Sequence, residues 1–68
     1  MRTEEITAKA LEQVNFDKYL LSTAVGKRAE ELSKGATPLL EIDTEGMKYT
    51  DIALLEIAEG KLSVSLEG

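Results

Sequence analysis

The sequence predicts an all-α fold: a small bundle of three main helices over about residues 3–14, 18–34 and 50–59. An extended proline-containing connection and a loose C-terminal tail over 61–68 complete a single domain, 1–68. Three observations lead there. In the stretch Asp17 to Gly35, the apolar residues Leu21, Ala24, Val25, Ala29 and Leu32 recur at three- and four-residue steps, one stripe of a 3.6-period helix. From Ile52 to Ala58 the chain is apolar except for Glu56, over a helix-length run bounded by Asp51 and Gly60. Between these two, Ala36 to Met47 lacks a helical period and contains Pro38, which disfavours helix at Thr37 and points to extended backbone.

Taken in order, Thr3 can cap a first helix, with Glu4 and Glu5 at its positive end and Thr7, Ala10, Leu11 and Val14 on one face. Asn15, Phe16 and Asp17 break the pattern. Phe16, just before the next cap, is placed to staple against Leu20 or Leu21, and a tight turn is expected to bring the first helix back against the second. The second helix starts at Asp17, whose carboxylate can accept a backbone N–H bond. It stops at Lys34 and Gly35, a cation at the negative end followed by a residue free to turn left-handed. At 1.5 Å per residue it spans roughly 25 Å, the main organising rod of so small a chain.

In the connection, Pro38, Leu39 and Leu40 form an apolar strap, and Thr44, Glu45 and Gly46 a turn tip. A hairpin pairing Leu39–Ile42 with Met47–Tyr49 is an alternative for this stretch. The third helix begins at Thr50 or an earlier residue, gains from Asp51 near its positive end, and stops at Gly60. It is apolar most of the way round, whereas a surface helix needs one apolar stripe. Either it is the buried central helix of the domain, or one side meets the domain and the other a second chain. Two short companions provide little cover, which favours the second reading. The tail alternates Leu62, Val64 and Leu66, a strand-like or loose-arm pattern.

A chain of 68 residues buries only about 60% of the surface it exposes when unfolded. Small domains commonly compensate with disulfides, a metal or a partner, and this one contains neither Cys nor His. A partner is left as the source of extra burial, and self-association of the isolated chain through its apolar side is expected. No apolar run approaches the roughly 20 residues of a membrane span, and no hydrophobic stretch follows Arg2 as a secretory signal requires, so a soluble cytoplasmic protein is expected. Eight basic against thirteen acidic residues give a net charge of −5, which disfavours direct nucleic-acid contact.

The same composition argues against catalysis. The commonest general base and the commonest thiol nucleophile are missing, and Ser22, Ser33, Ser63 and Ser65 have no imidazole to activate them. Glu4/Glu5 and Glu30/Glu31 are sequence neighbours about 100° apart on a helix, hence solvated faces and not catalytic pairs. Glu41, Asp43, Glu45 and Gly46 do not have calcium-loop spacing, and the five glycines are too dispersed for a phosphate cradle. No catalytic residue, cofactor or metal site is expected. Two charged residues stand out instead. Arg28 lies between Val25 and Leu32 at the edge of the apolar stripe. It is either a solvated partner of Glu31 or an anchor whose planar fork binds a partner's carboxylate or carbonyls, and its position favours the anchor. Glu56 is an isolated carboxylate on an apolar helix, and must lie at the solvent edge or match a basic group such as Arg28 or one from the partner.

Several of these stretches carry a resemblance. Asp17-Lys18-Tyr19-Leu20-Leu21, Ala24, Lys27-Arg28-Ala29-Glu30-Glu31-Leu32, Pro38-Leu39 after a glycine, and Ala53-Leu54-Leu55-Glu56-Ile57-Ala58-Glu59-Gly60-Lys61-Leu62 resemble, in order and spacing, the omega subunit of bacterial RNA polymerase. The resemblance covers about Leu11 to Leu62. It implies a helical, non-catalytic subunit of an enzyme complex, a nucleotidyltransferase, that clamps the beta-prime subunit and assists assembly and stability of the polymerase. By match to the family pattern, Lys18, Tyr19, Arg28, Ala29, Pro38, Leu39, Leu54, Glu56 and Ile57 are the fold and partner-interface positions. The family usually has Arg where Lys18 stands, which turns a two-point contact into a point charge. The Met-Ala-Arg start that helps form a ppGpp site with beta-prime in some relatives is here Met1-Arg2-Thr3 in a shifted register, which speaks against alarmone binding. The competing class is an independent helical interaction module, antitoxin-like or anti-activator, using the same apolar helix on another partner.

Overall fold

All three expected helices form, each within one residue of its expected ends. The computed structural model describes residues 3–62, Thr3 by its backbone alone, and runs α1 (Thr3–Gln13), α2 (Lys18–Ser33) and α3 (Tyr49–Ala58). Met1, Arg2 and the tail beyond Leu62 lie outside the described residues, and Thr3, expected as the cap, is instead the first helical residue.

Local chemistry sets the helix ends. Asp17 caps α2 from an extended backbone, its Oδ1 accepting the Leu20 N–H at 3.0 Å. The three C-termini share one device, in which an amide beyond the helix reaches back to a carbonyl of the last turn and the residue before it turns left-handed. Ala36 N–H bonds Glu31 O at 3.1 Å, Lys61 N–H bonds Glu56 O at 2.9 Å and Phe16 N–H bonds Leu11 O at 2.7 Å. The left-handed position is glycine after α2 and α3, Gly35 at φ 105° and Gly60 at φ 70°. After α1 it is Asn15 at φ 54°, the side chain that best tolerates this region after glycine.

Phe16 is also left-handed, at φ 61°, and this corrects the expected staple. Two successive left-handed residues turn the ring outward, 67% exposed, instead of down onto Leu20 or Leu21. The packing of α1 differs as well. It lies chiefly against α3 and meets α2 only slightly, so α3 is the element against which both other helices pack.

Two apolar clusters result. Ala10, Val14, Leu21, Ile57 and Ala58 form the first, with Ile6, Leu11, Leu20, Ala24, Val25, Leu54 and Leu62 packed around it. Leu32, Ile52 and Ala53 form the second, joined by Val25, Ala36, Leu40 and Met47. Leu40 and Met47 thus spend their apolar surface on the helices, and among the described residues no strand forms where the hairpin was an alternative. An isolated two-stranded hairpin is marginal in water, and packing on α2 and α3 outcompetes it. The Thr44–Gly46 turn does form, closed by Met47 N–H to Thr44 O at 3.0 Å.

The body measures 29 × 27 × 15 Å, flattened along one axis. Even so, Ile52, Ala53, Glu56, Ile57 and Ala58 of α3 are buried by the chain itself, and only Leu54 and Leu55 remain half-buried. The strap supplies the cover that two helices alone were not expected to give.

Candidate partner-binding site

Helical periodicity delivers Arg28 and Glu56 to facing positions on α2 and α3. Arg28 is one turn from Val25 and one from Leu32, and Glu56 lies between Ile52 and Ile57, so the pair falls in sequence between the two apolar clusters. Arg28 Nε lies 2.7 Å from Glu56 Oε1, and Nη2 lies 2.9 Å from Oε2. Glu56 is fully buried and Arg28 is 9% exposed. The remaining capacity is used nearby: Arg28 Nη2 donates to the Thr37 carbonyl at 3.1 Å, Nη1 to Glu31 Oε1 at 3.2 Å, and the Leu39 N–H donates to Glu56 Oε2 at 2.8 Å. No buried side-chain polar atom among the described residues lacks a partner.

Burial by itself pushes the Glu56 carboxyl up. The hydrogen bonds from Arg28, the Leu39 amide and the Arg28 charge outweigh it, so the group titrates below its ordinary 4.5. The bond to Glu56 raises the Arg28 guanidinium against the opposing effect of burial, keeping it charged at any ordinary pH. A buried pair with this geometry is strongly coupled, and losing one partner strands the other.

The chemistry expected of a partner at Arg28, a carboxylate and a backbone carbonyl, is therefore supplied by the chain itself. The other candidate positions scatter. Ile57 is wholly buried in the first cluster. Ala29 and Pro38 are half-buried, and Leu54 is half-buried beside a shallow recess of about 180 Å³ that it lines with Ile6, Met47, Asp51 and Leu55. Lys18 is exposed, Tyr19 is 83% exposed and Leu39 is 46% exposed. The outward apolar residues that sequence reasoning missed are Phe16, Ile42 and Tyr49. Exposure of Phe16 and Ile42 depends on turn and strap geometry. That of Tyr49 follows from its place in the first turn of α3.

Among the described residues, no group of His, Cys, Asp and Glu is arranged to hold a metal ion, and no helix is long and apolar enough to cross a membrane. Fold and site together define a class: a small three-helix scaffold, its buried ion pair turned onto its own connecting strap and several large apolar side chains turned out. Within that class the chain belongs to the RNA polymerase omega family. The family model RNA polymerase Rpb6 matches residues 11–64. The chain is 74% identical over 68 residues to the DNA-directed RNA polymerase subunit omega of a Sulfurovum species, covering 100% of both chains. It is 64% identical over 67 residues to the protein of that name from a Nitratiruptor species, covering 98% of this chain and 96% of the relative. With that of Campylobacter curvus the identity is 59% over 64 residues, 94% of this chain and 90% of the relative. No solved structure matches the chain.

Proposed function

We propose that this chain is a non-catalytic subunit of the bacterial DNA-directed RNA polymerase, acting in the cytoplasm by binding the beta-prime subunit and promoting assembly and stability of the core enzyme. The observation that carries the reading is full-length identity of 74% to a relative named as the omega subunit. The thin body supports it, because Tyr19, Phe16, Leu39, Ile42 and Tyr49 expose apolar surface that a protein partner would cover. So does the acidic balance, which suits contact with protein better than with DNA.

Co-expression of the chain with beta-prime tests the reading. Stoichiometric co-purification and a raised thermal midpoint of the complex are expected. A chain that elutes alone, with unchanged stability in the presence of beta-prime, would refute it. Recovery from source-cell lysate of a different stoichiometric partner, without core polymerase, would transfer the protein to the class of independent interaction modules.

A further inference from the structure

The buried ion pair does something that an apolar pair of the same size could not. Thr37 offers its carbonyl to Arg28 Nη2, Leu39 offers its N–H to Glu56 Oε2, and Pro38 between them has no N–H to offer. Among the described residues, no main-chain to main-chain hydrogen bond involves the segment from Thr37 to Asp43. The polar hold on the strap is therefore the pair itself, while Ala36 and Leu40 pack inward on the second cluster. Beyond Ala36 the side chains alternate as an extended chain requires, Pro38 and Leu40 half-buried, Thr37, Leu39 and Glu41 outward. The outward row thus contains an apolar residue, Leu39 at 46% exposure, on backbone that a costly buried pair keeps in place; at the bend over 41–42 the alternation ends, and Ile42 is exposed as well, at 53%. Replacing buried ion pairs by apolar residues is often neutral or stabilising, so such a pair is better explained by the conformation it specifies than by the stability it adds.

We infer that Arg28 and Glu56 are positioning residues that hold the Thr37–Leu40 strap so that Leu39 and Ile42 are presented as an apolar edge to a polymerase protein surface rimmed by Lys and Arg. The occupant follows from charge. Glu41, Asp43 and Glu45, interleaved with or following Leu39 and Ile42 in sequence, are all exposed, and residues 36–47 contain no basic side chain. The polymerase as partner rests on the subunit reading above. The apolar edge provides contact area, and the acidic flank provides orientation and a salt-dependent encounter.

The test uses the full-length chain and core polymerase prepared without it, with affinity read by fluorescence anisotropy. The double variant Leu39→Ser with Ile42→Ser removes only exposed side chains. It should keep the wild-type thermal midpoint and bind at least about tenfold more weakly. The pair replacement Arg28→Met with Glu56→Leu should keep its helix content, expose the Leu39 amide to hydrogen exchange, and lose a similar factor in affinity. Wild-type binding should weaken as salt rises. Wild-type affinity in the Leu39/Ile42 variant would overturn the inference, as would a pair replacement with a protected Leu39 amide and undiminished binding. If the pair replacement fails to fold, the Leu39/Ile42 variant decides by itself. A wild-type chain that binds no polymerase defeats the subunit reading and this inference together, whereas wild-type binding matched by the variants defeats the inference alone.

Discussion

Arg28 and Glu56, separated by 28 positions, meet through two parallel hydrogen bonds of 2.7 and 2.9 Å at the junction of α2, α3 and the strap. This two-point geometry is available to a guanidinium and not to an ammonium. The buried Glu56 carboxylate accepts from Arg28 Nε, Arg28 Nη2 and the Leu39 amide, so its charge is fully compensated only while both helices and the strap are in place.

Arg28→Ala should therefore cost about 3–5 kcal/mol, because it leaves a buried carboxylate without its counter-charge. A domain of this length has a total stability of only about 3–10 kcal/mol, so the isolated variant should be largely unfolded or close to it. Urea unfolding followed by circular dichroism measures this. A loss under about 1 kcal/mol would mean that water replaces the arginine.

Acid should act through the same pair. Glu56 has a lower pKa folded than unfolded, so its contribution is fully present above about pH 4.5 and is lost as pH falls through the lower native value. Wild type should be more stable than Glu56→Gln at pH 7, and the gap should narrow below about pH 4.5. Unfolding free energies of both proteins across this range check it; a gap of the same size at pH 3 as at pH 7 would contradict the linkage.

Gly26 sits exposed inside α2, and a Cβ placed there would meet nothing within 4 Å. Glycine loses more conformational freedom than alanine in forming a helix, and here no packing compensates. Gly26→Ala should stabilise the isolated chain by about 0.5–1 kcal/mol. An unchanged or lowered thermal midpoint would show that this helix surface has another constraint.

Phe16 combines a left-handed backbone with a ring 67% exposed. For an aromatic residue that conformation is strained, at a cost of order 1 kcal/mol or more, with little burial in return. Phe16→Gly should relieve the strain and hold or raise the midpoint of the isolated chain, while weakening the complex if the ring faces the partner. A large loss of stability in the isolated chain would instead place the ring in the fold.

Local signals accounted for much of this protein. The spacing of Leu21, Ala24, Val25, Ala29 and Leu32 defines α2 because helical periodicity is written in consecutive residues. Asp17, Gly35 and Gly60 mark helix ends because a cap or a left-handed stop depends on one or two side chains. The resemblance to omega subunits was legible for the same reason, as short runs at fixed spacing. Glu56 was recognisable as a charge in need of a partner, and Arg28 as one candidate. Only the tertiary structure decided that these two choose each other, since the bond joins residues 28 apart and its remaining contacts are the main chain at Thr37 and Leu39, which has no side-chain signature. It also decided that α1 packs on α3 and not mainly on α2, and that Phe16 points outward. Both depend on the direction in which the chain leaves Asn15, a matter of backbone angle that composition and periodicity do not specify.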